Sequence, residues 1–556
     1  MARPRDRLCR PMCVCFAVVC VVIIIIVCAT HYGYQRCSGE VFRRAAVAAD
    51  SETCSKVGRD ILQSGGSAVD GAIAALLCTS IINPQSMGIG GGSIFTVLEK
   101  NGTVKIINSR ETVPKDFKAD LLSECPQQFK LMSGSQWIGV PGEIRGYAVA
   151  HGLYGKLPWA SLFMPTIKMA REGFPIPYML SQFISRGLNK STPLGQLFVD
   201  ENGNQLKEGD TIKFEKLANT LEIIAEKGPD AFYTGDIAKD LISDIRDAGG
   251  SVSLEDLSSF TVTEPDVWEL NLGEYQMFFP PPPAGGAILG FILNVMRGYN
   301  LGPASLEGKQ KSLTYQRYVE TCKFANSLKR YTIDPRFSSE RKARQATEEA
   351  FAERIRQLIS DSSTHDAQYY NVTPYLDGMG TTHVSVLAED GMAVSVTSTI
   401  NHIFGSQVFS PKTGIILNNE LSDFCGKTDQ IHAGEQPPSS MAPVILYSKS
   451  KQHTLVMGGS GGSMITTGMA LTIMNHLWFG KSLEESIAAP VVFVDSKNAL
   501  KFEPKFDKAV VEELRALGHT IKEQSIFYNV INVVSKRGGC IRAISDARKM
   551  GRAAGY

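Results

Sequence analysis

The stretch from Met379 to Asn401, MGTTHVSVLAEDGMAVSVTSTIN, puts many hydroxyl side chains on a sequence that otherwise has the pattern of a β-hairpin. Two threonines follow Gly380, and a further cluster of hydroxyls lies beyond the turn centred on Asp390. Hydroxyls that meet across a hairpin are candidates for nucleophilic chemistry. Which of them meet depends on how the two strands pair.

Two pairing registers are compatible with the turn residues Glu389–Asp390–Gly391. A two-residue Asp-Gly turn mixes apolar and polar residues on each face, whereas a three-residue loop ending in glycine separates them. The second register places Val384 opposite Val396 and Thr381 opposite Thr399. We expect it because a one-residue slip would move every side chain to the other face. The plainer alternative is a threonine-rich strand pair whose polar face is solvated.

A threonine hydroxyl needs a base before it can act as a nucleophile. When threonine is the first residue of a chain, its own α-amine can be that base, with a pKa of about 7.7–8.0. Such a residue must be exposed by cleavage of the preceding peptide bond. The flexible DGMG tract before Thr381 would permit this, so we predict cleavage between Gly380 and Thr381.

The composition argues against nucleic acid as a partner. The 57 basic and 56 acidic residues leave a net charge of +1, without the basic excess that nucleic-acid binding requires. A length of 556 residues predicts two domains or one large multilayer domain. Outside the apolar segment near the N-terminus no C-x-x-C pair occurs, so a zinc site is not expected.

That apolar segment, residues 12–34, predicts a membrane anchor because it carries no formal charge and is long enough to cross a bilayer. Arginines precede it, and the first basic residue after it is Arg36. The positive-inside bias therefore predicts a cytosolic tail, residues 1–11, and a type II plasma-membrane protein with an extracellular ectodomain. A cleaved signal peptide is the alternative, since Val27 and Ala29 resemble a cleavage site.

Glycosylation sequons agree with this topology. They begin at Asn101, Asn189 and Asn371.

The ectodomain has strand patterns towards both ends and helical patterns between them. Residues 42–78 are helical in pattern, with Ser67 as a candidate N-cap, and a hairpin follows that turns at Asn101–Gly102. Residues 141–357 are mostly helical by periodicity. Strands dominate again after Gly380, with two helices and a final hairpin behind them. This order predicts an α+β fold built in layers.

The stretch GTTHVSVLAEDGMAVSVTSTIN resembles the processing site of gamma-glutamyltransferases, N-terminal-nucleophile enzymes that cleave themselves at this threonine. The resemblance covers essentially the whole ectodomain. It includes RAAVAAD, SMGIGGG, INSRETVP, VPGEIRGY, GIILNNELSDF, PPSSMAP and SDARKMGRAAGY. Three further stretches, NPQSMG, QWIGVPGE and PPPPAGGAIL, resemble one branch of that family, which is noted for cysteinyl leukotrienes.

The resemblance implies a role for individual residues. Thr381 would be the nucleophile and Thr399 its hydroxyl partner, with oxyanion-hole amides from Gly461 and Gly462. Arg110 would clasp the α-carboxylate of a γ-glutamyl group. The residues implied to help bind that amino-acid end are Ser439 and Ser440 for the carboxylate, and Asn401, Glu420 and Asp423 for the α-amino group.

The same resemblance implies a four-layer αββα sandwich and a precursor that matures into a heterodimer of residues 35–380 and 381–556. It also implies a Cys54–Cys78 disulfide and no metal or organic cofactor. The implied reaction transfers the γ-glutamyl group through a threonine acyl-enzyme to water or to an amino-acid or peptide acceptor. The segment between Asp423 and Ser439 is shorter than in the best-known members, so the balance between hydrolysis and transfer stays open.

Three rival interpretations remain. A serine hydrolase would use Ser460 of GGSGG with Asp495 or Asp507 and His519, which follow in the order of a nucleophile-elbow enzyme. The ectodomain could keep the fold without catalysing a reaction. GIGGGS, which begins at Gly88, could bind phosphate, although it lacks the lysine of a P-loop.

Overall fold

The computed structural model describes residues 20–21, 41–126, 131–373, 375, 378–523 and 529–556. The predicted anchor, residues 12–34, lies outside the described residues except at positions 20 and 21. Within the described ranges, no helix combines the length and the apolar character needed to cross a membrane.

Residues 41–260 form a mostly helical region around one hairpin. The elements in chain order are β1 (Ala46–Ala48), α1 (Glu52–Gln63), α2 (Ala68–Ile82), β2 (Gly92–Leu98), β3 (Val104–Asn108), α3 (Glu143–Tyr154), α4 (Trp159–Glu172), β4 (Phe174–Pro175), α5 (Tyr178–Gly187), α6 (Pro193–Gln196), β5 (Thr211–Ile212), α7 (Glu215–Lys227), α8 (Asp230–Tyr233), α9 (Asp236–Asp247) and α10 (Leu254–Ser259).

The next part adds a second hairpin and the helices that cover it. These elements are β6 (Trp268–Leu272), β7 (Tyr275–Phe279), α11 (Gly286–Arg297), α12 (Gly308–Leu328), α13 (Arg341–Gln345) and α14 (Glu349–Leu358).

The C-terminal part supplies the central strands of both sheets. Its elements are β8 (Thr382–Leu387), β9 (Ala393–Thr399), β10 (Val444–Ser448), β11 (His453–Ser460), α15 (Ile465–Leu477), α16 (Leu483–Ala488), β12 (Val492–Val494), β13 (Leu500–Phe502), α17 (Lys508–Ala516), β14 (Val530–Arg537), β15 (Cys540–Ile544) and β16 (Ala554–Gly555).

Two six-stranded antiparallel sheets form the centre of the molecule. Their strand orders are β16-β1-β8-β9-β2-β3 and β15-β14-β11-β10-β7-β6. One buried apolar cluster contains Ala46 and Leu387 of the first sheet together with Ile445, Val456 and Val534 of the second, so the sheets pack face to face.

Helices cover the outer face of each sheet. Val384 and Val386 of the first sheet share a buried cluster with residues of α2. Met277 and Leu446 of the second sheet share another with residues of α11 and α15. The resulting order of helix, sheet, sheet and helix confirms the predicted α+β fold and its four layers.

The helix α2 shows how the sequence sets the first outer layer. Ser67 accepts from the Asp70 N–H, and the Asp70 side chain accepts from the Ser67 N–H, which is a capping box at the predicted N-cap. All of its residues are buried, as expected for a helix that is apolar on every side. A disulfide between Cys54 and Cys78 joins α1 to α2.

Two regions predicted to be helical contain strands. Residues 46–48 form β1, which pairs with both β8 and β16. The hairpin of β6 and β7 lies within the stretch 141–357 and forms one edge of the second sheet. A strand as short as β1 carries no periodicity of its own, and its partners lie hundreds of residues away in the chain.

The hairpin of β8 and β9 has the predicted register. Val384 pairs with Val396 and His383 with Thr397, and Gly391 takes the left-handed φ of 90° that the three-residue loop requires. The solvated alternative is wrong, because the polar face is buried against the second sheet. There the Ser385 hydroxyl donates to the Asn532 carbonyl at 3.1 Å.

The sequon residues Asn101, Asn189 and Asn371 are all exposed. Their glycosylation stays a prediction.

His383 is the titratable group on the buried polar face. Its ring nitrogens lie 2.9 Å from the Thr397 and Ser385 hydroxyls, and burial lowers its pKa to about 3. The unfolded chain would protonate histidine near its ordinary pKa of about 6.5. Between these values the unfolded state binds more protons, so His383 costs stability as the pH falls through this window.

We therefore expect His383→Gln to reduce the acid sensitivity of folding, whatever it does to stability at neutral pH. The measurement is the melting temperature between pH 7 and 4.5, compared with wild type and with His365→Gln at an exposed site. His365→Gln should follow the wild-type slope, and His383→Gln should be flatter. Equal slopes for all three proteins would contradict the assignment.

Candidate active site

Thr381 and Thr399 meet at one end of the hairpin, where the register predicts. The Thr381 hydroxyl donates to the Thr399 hydroxyl across 3.3 Å, and both residues are buried. The Thr399 oxygen also accepts from the Asn401 N–H at 2.7 Å. These bonds orient the Thr381 oxygen.

The backbone at Thr381 is strained. Its φ of 85° is a conformation that a β-branched residue rarely adopts. The Gly380 carbonyl accepts from the Gly461 N–H at 2.9 Å. A side chain at position 380 would collide with the Asn401 carbonyl, since its Cβ would stand 1.8 Å from that oxygen. Surrounding contacts therefore hold the strained bond in place, which is typical of functional backbone outliers.

A buried ion pair fixes the other side of the same residue. Lys549 donates to the Thr381 carbonyl at 2.6 Å and lies 2.5 Å from Asp50. Asp50 also accepts from the Thr382 hydroxyl at 2.5 Å. Neither charged residue had a predicted role, although Asp50 falls in the motif RAAVAAD and Lys549 in SDARKMGRAAGY.

The residues just before Thr381 lie over the glycine-rich turn after β11. Ser463 N–H donates to the Gly378 carbonyl at 3.3 Å, and Gly378 N–H donates to the Ser463 hydroxyl at 3.0 Å. A Cβ at Gly462 would stand 2.1 Å from the Gly378 oxygen, so only glycine allows this approach.

Arg110 is fully buried and is not a surface charge. Its NH2 group lies 2.8 Å from Glu420 and 2.7 Å from Asp423, and its Nε donates to the Pro437 carbonyl at 2.7 Å. The carboxylates predicted to bind an ammonium group thus already hold one side of the guanidinium. NH1 is buried, lies 3.9 Å from Glu111 Oε2 and makes no hydrogen bond within the described part of the chain.

Burial changes the acidity of the carboxyl groups around Arg110. It raises the pKa of Glu420 to about 7, although Arg110 opposes the shift. Burial, with the nearby Glu420 charge, also raises the pKa of Glu111 well above its usual range. Glu420 and Glu111 are therefore protonated more readily near neutral pH than exposed carboxyl groups are. A charged ligand beside them would change their protonation.

A cavity of about 320 Å³, which includes space open to solvent, connects these groups. It brings together every predicted catalytic and substrate-binding residue except Gly461, which precedes Gly462 in the chain, and Gly380 of the predicted cleavage site also lies outside the lining. The lining residues are Arg110, Gly378, Thr381, Thr399, Asn401, Glu420, Asp423, Lys427, Ser439, Ser440, Met441, Gly462, Ser463 and Ile465. Lys427 had no predicted role, and its position in the short segment after Asp423 is the only signal that pointed to it.

The serine-hydrolase interpretation is wrong. His519 bonds to Gln316 at 2.6 Å and to Lys323 at 2.9 Å, and the Ser460 hydroxyl has no hydrogen-bond partner among the described residues. Asp507 caps α17, and Asp495 accepts from nearby backbone N–H groups. The order of these residues in the chain matches a triad, but the fold separates them.

The GIGGGS stretch is used for close packing. A Cβ at Gly91 would lie 2.0 Å from the Thr399 carbonyl, and one at Gly90 would lie 2.2 Å from the Ile416 carbonyl. Gly91 thus lets the chain approach the strand that carries Thr399, and Gly90 lets it approach the segment at Ile416, which explains both glycines without a phosphate. Among the described residues, no group of three or more His, Cys, Asp or Glu could hold a metal ion.

The chain is similar in sequence to known proteins. The sequence model of the gamma-glutamyltranspeptidase family matches residues 54–556. The glutathione hydrolase 5 proenzyme of Mus musculus is 45% identical over 557 residues, and that of Homo sapiens is 43% identical over 568 residues; each alignment covers 96% of both chains. The branch of the family that the NPQSMG, QWIGVPGE and PPPPAGGAIL stretches resemble is that of the glutathione hydrolase 5 proenzymes, so these relatives confirm the resemblance.

A solved structure shares the fold. The cephalosporin acylase from Bacillus halodurans superposes with a TM-score of 0.83 at 23% identity, over 94% of this chain and 98% of that one. Because the family model matches residues 54–556 and the relatives are 43–45% identical over 96% of the chain, the chain belongs to the gamma-glutamyltranspeptidase family of enzymes.

Proposed function

We propose that this chain cleaves its own Gly380–Thr381 bond, and that the freed Thr381 then removes the γ-glutamyl group from glutathione, glutathione conjugates and cysteinyl leukotrienes. One observation carries the proposal: the paired hydroxyls of Thr381 and Thr399 lie in the same cavity as Arg110, Glu420 and Asp423. A nucleophile and a set of groups suited to an amino-acid zwitterion thus share one site.

The contacts at the junction support self-cleavage. The Gly461 N–H polarises the Gly380 carbonyl, and the strained Thr381 backbone raises the energy of the bond to be broken. The Thr381 oxygen attacks the Gly380 carbonyl carbon, and the amide nitrogen leaves as the α-amine. Water then hydrolyses the resulting ester. The products are a large fragment ending at Gly380 and a small one, residues 381–556.

Turnover uses the same oxygen. The new α-amine accepts the hydroxyl proton while the oxygen attacks the γ-carbonyl carbon. The amides of Gly461 and Gly462 stabilise the developing oxyanion. The leaving amine takes the proton, and the acyl-enzyme is released by water or by the amine of an amino acid or peptide. The short segment between Asp423 and Ser439 bears on which of these acceptors is preferred.

The charged groups explain why the substrate would be a γ-linked amino acid. Arg110 NH1, with the hydroxyls of Ser439 and Ser440, would bind the α-carboxylate. Asp423 and Glu420 would bind the α-ammonium. A zwitterion bound in this way leaves the Arg110–Asp423 contact in place. Its carboxylate gives Arg110 a further negative neighbour, and its ammonium gives Asp423 a further positive one.

The proposed leukotriene substrates and the proposed membrane location rest on the sequence. The branch resemblance supports leukotriene conjugates among the substrates. The apolar segment of residues 12–34 supports a type II anchor that keeps the catalytic part outside the plasma membrane.

Self-cleavage predicts two fragments on a reducing gel, and the smaller should begin Thr-Thr-His-Val. Thr381→Ala should leave a single folded, inactive chain, because no hydroxyl remains to attack Gly380. Ser460→Ala should mature and turn over substrate, since Ser460 has no catalytic partner. A fully active chain that remains uncut would refute the mechanism.

Thr399→Val is expected to slow maturation and turnover together, by a factor on the order of 10²–10³ if its bond to Thr381 is worth an oxyanion-hole donor. Valine has nearly the same shape as threonine and should leave the strand intact, but without a hydroxyl it cannot orient the Thr381 oxygen. Thr397→Val is the control on the same strand, where the hydroxyl meets His383 instead. Pulse–chase of processing and γ-glutamyl hydrolysis by mature enzyme measure both effects, and normal rates for Thr399→Val would reject the role.

Arg110→Lys should raise KM for γ-glutamyl substrates far more than it lowers the folded yield. Lysine keeps the charge but cannot contact Asp423, the Pro437 carbonyl and a substrate carboxylate at once. Arg44→Lys is the matched control, because Arg44 makes a bidentate contact with Glu389 at an exposed site. An unchanged KM in Arg110→Lys would remove Arg110 from the binding site.

A further inference from the structure

Lys427 is the one charged group of the cavity that the proposed mechanism does not use. It lies four residues after Asp423 and lines the same cavity as Thr381. Its side chain is only 9% exposed, which is unusual because lysines are mostly on the surface.

The ammonium of Lys427 lacks a close partner. Its only ion pair within the described part of the chain is a long one, 3.8 Å from Nζ to Asp423 Oδ1. The Tyr375 ring centre is 5.9 Å away. A lysine ammonium has three donors and no acceptor, and Lys427 Nζ is not among the buried side-chain atoms that lack a partner, so its donors face cavity space that a ligand can enter. The site is therefore built for an anionic ligand.

The backbone that carries Lys427 is tethered. Cys425 is bonded to Cys125, and Phe424 and Leu421 are buried in an apolar cluster with Trp137. The Lys427 N–H donates to the Phe424 carbonyl at 3.0 Å. Its side chain consequently starts from a fixed turn beside the cavity and not from a free loop.

The α-carboxylate of the substrate is not the best candidate for this ligand. Arg110 contacts Oδ2 of Asp423, whereas Lys427 lies nearest Oδ1, so the two cations flank different oxygens of one carboxylate. Arg110, Ser439 and Ser440 already account for the α-carboxylate. Lys427 therefore requires a second anionic group on the substrate as its counter-ion.

The charge of the cavity agrees with an additional negative group. Arg110 and Lys427 contribute two positive charges, opposed by Asp423 and Glu420. Because burial raises the pKa of Glu420 to about 7, that carboxyl is partly protonated at neutral pH. A protonated Glu420 offsets less of the positive charge of Arg110 and Lys427, so the cavity can accept an anionic group in addition to the zwitterion.

We propose that Lys427 binds a carboxylate carried by the leaving part of the substrate, and that it selects γ-glutamyl peptides with a free C-terminus. This rests on the proposed function, and it defines the substrate class more narrowly. The dipeptide released from glutathione ends in such a carboxylate.

The test compares two substrates that differ only at the predicted contact: a γ-glutamyl dipeptide with a free C-terminal carboxylate, and the same peptide as its C-terminal amide. The readout is the ratio of kcat/KM for acid over amide. A buried hydrogen bond to a charged group implies a ratio of about ten in wild type. Lys427→Met should bring the ratio close to one, and Lys427→Arg should restore most of it.

Lys56→Met is the matched control, because Lys56 is exposed on α1, and its ratio should equal that of wild type. Formation of the two fragments reports that each variant has folded. A wild-type ratio near one, or a ratio that Lys427→Met leaves unchanged, would overturn the subsite. Failure of the wild type to hydrolyse either peptide would instead count against the proposed function.

Discussion

The pairing of β8 with β9 is the constraint on which the rest of the site depends. The register puts the valines on the face that packs against the helices and the hydroxyls on the face that packs against the second sheet. A slip of one residue would bury the polar side in an apolar core and separate Thr381 from Thr399. The positions of Thr381 and Thr399 are thus stabilised by the packing of the two faces of the hairpin, one against the helices and the other against the second sheet.

The strained junction before β8 shows how that rigid frame is used. Thr381 keeps an unfavourable φ because its neighbours are fixed on both sides: Gly461 bonds to the carbonyl before it, and Lys549 bonds to its own carbonyl. Each contact comes from a distant part of the chain. The conformation costs energy of order 1–3 kcal/mol, which the packed sheets can supply and a loop could not.

The cluster around Arg110 combines stability with recognition. A fully buried guanidinium needs its carboxylates, because breaking a buried ion pair costs about 3–5 kcal/mol. Yet among the described residues Arg110 NH1 makes no hydrogen bond and has only the long ion pair of 3.9 Å with Glu111. Glu420 has a raised pKa, and Lys427 has only a distant counter-ion. Folding thus leaves the cavity with donors and charges that a ligand of complementary charge would complete.

The sequence by itself determined the features that depend on neighbouring residues. These include the hairpin register, the Ser67 cap and the glycines of tight turns, because alternation and turn chemistry act over a few residues. The family resemblance identified most of the cavity lining by motif. The tertiary structure alone decided what depends on distant contacts. These features are the strand β1, the Asp50–Lys549 ion pair, the Cys125–Cys425 disulfide and the position of Lys427 in the cavity. It also separated Ser460 from His519, since order along a chain does not fix distance in space.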